Sequence, residues 1–123
     1  MSFHSFEDLE VWKKSCQQSV ATIEALKGFK NRTLLDQMTR SCISVPSNIA
    51  EGQGRDAPRD FIRFLNIAQG SNYELRTQFY ISQKAGLLDK ETSCSLIEEN
   101  KKISSMLHGL IQSVKRRTKE HNT

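Results

Sequence analysis

What this chain has little of narrows its fold before any motif is read. Only 2 prolines and 6 glycines punctuate 123 residues. That is too few for a strand-rich or loop-rich fold, and few enough to let long helices run. Three cysteines, Cys16, Cys42 and Cys94, stand far apart with no Cys-x-x-Cys pair, and His4, His108 and His121 fall at no metal-ligand spacing. Neither a disulfide framework nor a zinc site is written in such a pattern. Cys16 and Cys42 fall instead on apolar stripes, where a reduced thiol acts as a small hydrophobe. No apolar run approaches the ~18 residues needed to span a bilayer. Met1 to Phe6 lacks both the basic and the apolar region of a secretory signal, so a cytoplasmic protein is expected, with no membrane partner. Charge of one sign is also scarce: the net charge is +4, from 18 basic and 14 acidic residues. An acidic or nucleic-acid partner is compatible with that balance but not required by it.

What remains is globular. The chain is 37% hydrophobic and 26% charged, and is long enough to bury a core as one domain over residues 1–123. Apolar residues recur at intervals of three and four in four stretches, which predicts helices over roughly 6–27, 33–53, 58–85 and 89–118. In the first, Ser5 can cap with Asp8 three places on, and Leu9, Trp12, Cys16, Val20, Ile23 and Leu26 form the expected inward stripe. Gly28 suits the left-handed position past the helix end. The second is expected to start at Thr33, with an inward stripe of Leu35, Met38, Cys42, Val45, Ile49 and Ala50. Pro46 lies inside it and predicts a kink, not a break, because the stripe continues through it. The third begins at Pro58, turns Phe61, Phe64, Leu65, Ala68, Asn72, Leu75, Phe79 and Ser82 inward, and ends at Gly86. Gly70-Ser71 in its middle suggests close approach of a neighbouring helix. The fourth starts around Asp89, carries Leu96, Ile97, Asn100, Ile103, Leu107, Leu110, Ile111 and Val114, and runs into basic residues that favour a helix C-terminus. Short connections make neighbours antiparallel. The fold class is all-α, an up-down-up-down four-helix bundle.

Several runs go further than periodicity. They are Phe6-Glu7-Asp8-Leu9-Glu10-Val11-Trp12-Lys13, then Val45-Pro46-Ser47-Asn48-Ile49-Ala50-Glu51-Gly52 with Gly54-Arg55. Asp60-Phe61-Ile62-Arg63-Phe64-Leu65-Asn66-Ile67-Ala68 follows, with Gly70-Ser71, Glu74-Leu75 and Thr77-Gln78 after it. On these the chain resembles the bacterial four-helix bundle proteins encoded by intervening sequences in 23S rRNA genes, some of them labelled S23 ribosomal proteins. The resemblance extends to the accessory variability determinant proteins of diversity-generating retroelements. It covers nearly all of Phe6 to Leu110, and it implies a bundle that assembles as a ring-like homopentamer. For the retroelement members it also implies binding to a reverse transcriptase and to nucleic acid. It implies no catalytic residues and no cofactor. The chain departs from the pattern at Ala57, where Ser or Thr usually caps the third helix, and at Arg76, where Glu commonly precedes Thr-Gln.

The candidate sites divide into several groups. Gly52-Gln53-Gly54-Arg55 lacks the preceding strand, third glycine and Lys-Ser/Thr of a phosphate-cradling loop, and reads as a helix end. Asn48, Glu51, Arg63, Asn66, Ser71 and Glu74 are the polar residues of the matching runs. As an acid–base or di-metal site they would pair Glu51 with Glu74, yet no glutamate has the His three places on that di-iron bundles use. They read as a structural polar network near the Pro46 kink. Trp12, on an inward stripe, reads as core. Lys115, Arg116, Arg117 and Lys119, with Lys13, Lys14, Arg55 and Arg59, are the candidate nucleic-acid contacts. No base-reading helix, zinc finger or aromatic-studded sheet is visible, so phosphate contact is the mechanism these residues offer. Val11, Ile43, Ile62, Ile67, Tyr73, Tyr80 and Ile81 lie off the inward stripes and suggest subunit contacts. The expectation is a non-enzymatic homo-oligomeric adaptor for structured RNA or a nucleic-acid-handling protein, the alternative being a structural or protein-interaction bundle with no nucleic-acid role.

Overall fold

The computed structural model describes residues 5–121, with side chains over 5–119. Four helices account for most of it: α1 Glu10–Ala25, α2 Arg32–Gln53, α3 Pro58–Lys84 and α4 Lys90–His121. No strand occurs among the described residues. No helix there is long and apolar enough to cross a membrane. The helices pack in cyclic order, each against the next and α4 against α1, as an up-down-up-down four-helix bundle does.

Local chemistry sets the helix ends. Ser5 does cap, but the element it opens is a 3-10 turn over Phe6–Asp8, with its hydroxyl accepting from the Glu7 N–H. Leu9 then takes an extended conformation (φ −77°, ψ 122°), so α1 starts at Glu10, four residues later than the periodicity suggested. Asn31, not Thr33, opens α2: its side chain accepts from the Leu34 N–H at 2.9 Å. α3 begins at Ala57-Pro58 with no side-chain cap. It ends in a Schellman turn, with Gly86 at φ +73° and the Leu87 N–H bonded to the Ser82 carbonyl at 2.9 Å. Gly28, at φ +78°, closes the first connection in the same left-handed region. Asp89 caps α4, accepting from the Thr92 N–H.

The core has two apolar parts. One gathers Leu9, Val11, Val45, Ile49, Leu65, Ala68, Ile103, Leu107, Ile111 and Val114. The other gathers Leu26, Met38, Cys42, Leu75, Phe79, Leu88, Leu96 and Ile97. Between them lies a polar layer. Gln18 donates to the Asn72 Oδ1 at 3.0 Å, and the Asn100 amide donates to the Gln18 Oε1 at 2.9 Å and to the Asn72 Oδ1 at 3.0 Å. Asn72 in turn donates to the Asn100 carbonyl and to the Ser104 Oγ, both at 3.0 Å. Gln18, Asn72 and Asn100 are buried, and their mutual bonds offset the cost of taking three amides out of water.

α1 is turned differently from the expectation. Its buried residues are Val11, Ser15, Gln18, Ser19 and Thr22. Val20 is 62% and Ile23 44% exposed, while Trp12 and Cys16 are half-buried on the flank. Val11, expected to face outward, is 4% exposed. The rotation has a chemical reason. Pro46 has no N–H to offer the Cys42 carbonyl one turn back, and the Ser19 Oγ of α1 donates to that carbonyl at 2.7 Å. Ser15 and Thr22 turn their hydroxyls onto their own helix. A face of small hydroxyl residues thus sits against α2 where the proline-freed carbonyl needs a donor. α2 continues through Pro46 without interruption.

Candidate nucleic-acid interface

Antiparallel topology brings together the start of α1, the end of α2, the start of α3 and the end of α4. The packing of Leu9, Ile49, Leu65, Ile111 and Val114 in one cluster fixes this. Lys13, Arg55, Arg59 and the run Lys115, Arg116, Arg117 and Lys119 therefore share one end of the bundle, although they are up to 106 positions apart in the chain (13 to 119). Lys13 and Arg55 each have a carboxylate partner on their own helix. Lys13 lies 3.9 Å from Glu10, and Arg55 3.2 Å from Glu51. Exposed pairs of this kind hold loosely and are screened by salt. Arg55 and Arg63 also flank one ring, their guanidinium carbons 5.0 Å and 4.4 Å from the Phe64 centroid. Glu7, Asp8, Asp56 and Asp60 are at the same end, so the surplus of positive charge comes from the α4 run, where Lys115, Arg116 and Lys119 are exposed and Arg117 is half-buried. Lys14 is set apart from the rest: it lines a shallow groove between α1 and α4 with Gln17, Ala21, Ser95 and Glu99.

The six polar residues of the family-like runs do not form one network. Asn48 donates to the Ser44 carbonyl at 2.8 Å, and Ser44 shares a 2.8 Å hydroxyl contact with Ser71, which ties α2 to α3. Asn66 turns back to the Ile62 carbonyl of its own helix. Glu51 pairs with Arg55, Arg63 covers Phe64, and Glu74 is exposed. With Ser44 level with Ser71, the 1.5 Å helical rise puts Glu51 and Glu74 about 15 Å apart along the bundle axis. No acid–base or bridging geometry joins them. The donor that serves the proline-freed carbonyl is Ser19, outside this set, and the Gln18, Asn72 and Asn100 layer is outside it too. Asn72 and Asn100 were legible as inward residues. Ser19 carried no signal, because only the rotation of α1 brings it to Cys42.

The other glycine features also resolve. Gly52 sits where a Cβ would stand 2.6 Å from the Phe64 Cβ and 3.2 Å from the Phe61 Cδ1. The close helix approach is therefore here, between α2 and α3. A Cβ at Gly70 would meet nothing within 4 Å, which corrects the expectation at Gly70, while Ser71 does meet the neighbouring helix, through Ser44. Gly54, at φ −70°, follows the last residue of α2 as its C-cap, with its N–H bonded to the Ala50 carbonyl.

The family model described as 23S rRNA-intervening sequence protein matches residues 7–109. The chain belongs to this family. A solved relative, a protein of unknown function from the S23 ribosomal protein family of Bacteroides thetaiotaomicron, superposes with a TM-score of 0.77 at 25% identity, covering 82% of this chain and 97% of that one. No curated protein matches. The region matched to the intervening-sequence family holds the polar layer, the Pro46 helix and the Gly52 contact. Lys115 to Lys119 lie beyond residue 109, so the basic extension of α4 is outside the matched stretch.

Proposed function

We propose that this protein is a non-enzymatic adaptor that assembles head-to-tail into a ring, a pentamer by its resemblance, and holds structured RNA against a basic rim. The observation that carries the reading is the convergence of Lys13, Arg55, Arg59 and the α4 run on one end of the bundle. With the bundle axes aligned along the ring axis, each copy adds that end to a common rim and multiplies a modest monomer charge. Phosphate contact by several flexible cations is strong in sum and indifferent to sequence.

Two separated apolar strips support the ring. Val20, Ile23 and Ile43 are exposed on α1 and α2, and Ile67 and Ile81 on α3. A head-to-tail ring needs two different faces on one subunit, unlike a two-fold dimer, which needs one. α1 and α3 are diagonal in the bundle, so the strips meet that need. The same strips favour a second reading, a protein-interaction bundle with no RNA role.

Anisotropy of a labelled RNA hairpin, titrated with salt, separates the two readings. The parent should bind with log affinity falling linearly against log salt. Replacing Lys115, Arg116, Arg117 and Lys119 by Gln should keep the fold and make that slope shallower. No binding by the parent at low salt supports the protein-interaction reading. For the ring, light scattering should give a multiple of the 14.1 kDa chain mass, and Ile23→Asp should reduce it without unfolding the bundle.

A further inference from the structure

The flank of α3 beside α4 carries residues that the basic end does not use. Tyr73, Arg76, Tyr80 and Lys84 follow at intervals of three and four within α3, and so stand in one line on the helix surface. Tyr73 is 52% and Tyr80 38% exposed, and Lys84 is exposed. Between the two rings, Arg76 is held by two short bonds. Its Nε donates to the Asn100 Oδ1 at 2.7 Å and its Nη2 to the Ser104 Oγ at 2.6 Å. Its guanidinium carbon stands 5.6 Å from the Tyr73 ring centroid, which steadies that ring. Among the described residues no carboxylate comes within 4.0 Å of Arg76 or Lys84; the ion pairs lie elsewhere. Glu74, next to Tyr73 in the chain, is turned about 100° away from it by the helix.

This arrangement is unusual for a surface. A half-buried guanidinium normally meets a carboxylate, and here it meets only neutral oxygens. They fix its position and leave its charge uncompensated. Exposed aromatic rings alternating with fixed cations are the recurring platform for single-stranded nucleic acid, because every base has a π-face and every link a phosphate. A duplex offers neither ring its bases, which are closed in their own stack.

We infer that this line binds unpaired nucleotides of a single-stranded RNA, with bases against Tyr73 and Tyr80 and a phosphate against the open edge of Arg76. The tyrosines are seven positions apart, about 10.5 Å along the helix. Adjacent stacked bases are only about 3.4 Å apart. The two rings therefore take bases that are not neighbours, and the strand between them crosses Arg76 in extended form. The site rests on the nucleic-acid reading above but lies on another face, so a structured RNA could place a helix on the rim and a loop on the flank.

The test uses the full chain and two probes, a labelled oligouridine and the same strand paired with oligoadenosine, followed by anisotropy near physiological salt. Tyr73→Ala and Tyr80→Ala should each weaken single-strand binding ~10-fold, the scale of one lost base–aromatic stack. Tyr80→Phe, which keeps the ring, should stay within ~2-fold of the parent on the same stacking argument. Duplex binding and the mass by light scattering should not change. Alanine variants that hold the strand like the parent overturn the inference. So do alanine variants of lower mass, because the flank is then a subunit contact. If that happens while the α4 glutamine variant still loses RNA affinity, the rim reading survives alone. A parent that binds neither probe overturns both.

Discussion

Ser19→Ala is the sharpest perturbation of this fold. The Ser19 hydroxyl donates to the Cys42 carbonyl at 2.7 Å, and that carbonyl is the one whose helical donor Pro46 cannot supply. The Ser15 carbonyl, also within reach of the hydroxyl at 3.0 Å, sits four residues back in an unbroken helix and keeps its backbone donor. Removing the hydroxyl therefore orphans one acceptor, and Ser19 and Cys42 are both buried. An unsatisfied buried acceptor costs about 1–3 kcal/mol. Taking about 2 kcal/mol, and roughly 3–5 °C per kcal/mol for a chain of this length, the melting temperature should fall by roughly 8 °C. The decisive measurement is the cycle with Pro46→Ala, followed by chemical denaturation at fixed protein concentration. The Pro46→Ala substitution restores the N–H, so Ser19→Ala should cost little in that background, and the coupling between the two sites should be about 1–2 kcal/mol. Equal costs of Ser19→Ala in the parent and in the Pro46→Ala background would refute the argument, since the hydroxyl would then be stabilising something other than the proline-freed carbonyl.

Gly52→Ala should destabilise by about 1–3 kcal/mol, because its Cβ would lie 2.6 Å from the Phe64 Cβ and push α2 from α3; a denaturation midpoint no lower than the parent's would count against that contact. Gly109→Ala, at an exposed helical position where a Cβ meets nothing within 4 Å, should stabilise by about 0.5–1 kcal/mol in the same assay. Ala57→Ser should also stabilise, by about 0.5–2 kcal/mol, since α3 starts in cap geometry without a side-chain acceptor. Hydrogen bonds from Thr92, first through its side chain, hold the Asp89 carboxyl below its ordinary value. Its folded pKa is thus depressed, so the cap's contribution is present above the unfolded carboxyl pKa and disappears as pH falls through the folded one; NMR titration of Asp89 in the parent and in Thr92→Val should show the midpoint rising in the variant.

Period and phase were not equally legible in the sequence. Four helices and their antiparallel order follow from spacing and short connections, and the apolar stripe that runs past Pro46 places that residue inside a helix, as observed. The phase of α1 does not follow. Trp12, Cys16, Val20 and Ile23 make a good helical stripe, but hydrophobicity marks burial against any partner, and it cannot say whether that partner is the bundle or another molecule. The inward face of α1 is instead Val11, Ser15, Gln18, Ser19 and Thr22, of which Ser19 bonds a residue more than 20 positions away and Gln18 one more than 50 away. Such pairings leave no local trace. The clustering of basic residues at one end could be reached from topology alone. The Tyr73 and Arg76 arrangement could not, because it depends on Asn100 and Ser104 of the next helix.

The amide layer at mid-height also limits how the rods may slide. Apolar stripes that repeat every three or four residues fit one another nearly as well after a shift of one turn, so hydrophobic burial alone is a poor judge of axial alignment. With Gln18, Asn72 and Asn100 in place, a one-turn shift of α4 would carry Ile103 or Leu96 to the Asn72 amide and leave Gln18 facing aliphatic carbon. Each stranded amide would cost about 1–3 kcal/mol. The layer acts as a vernier mark, and it makes one interleaving of four similar rods much better than the next.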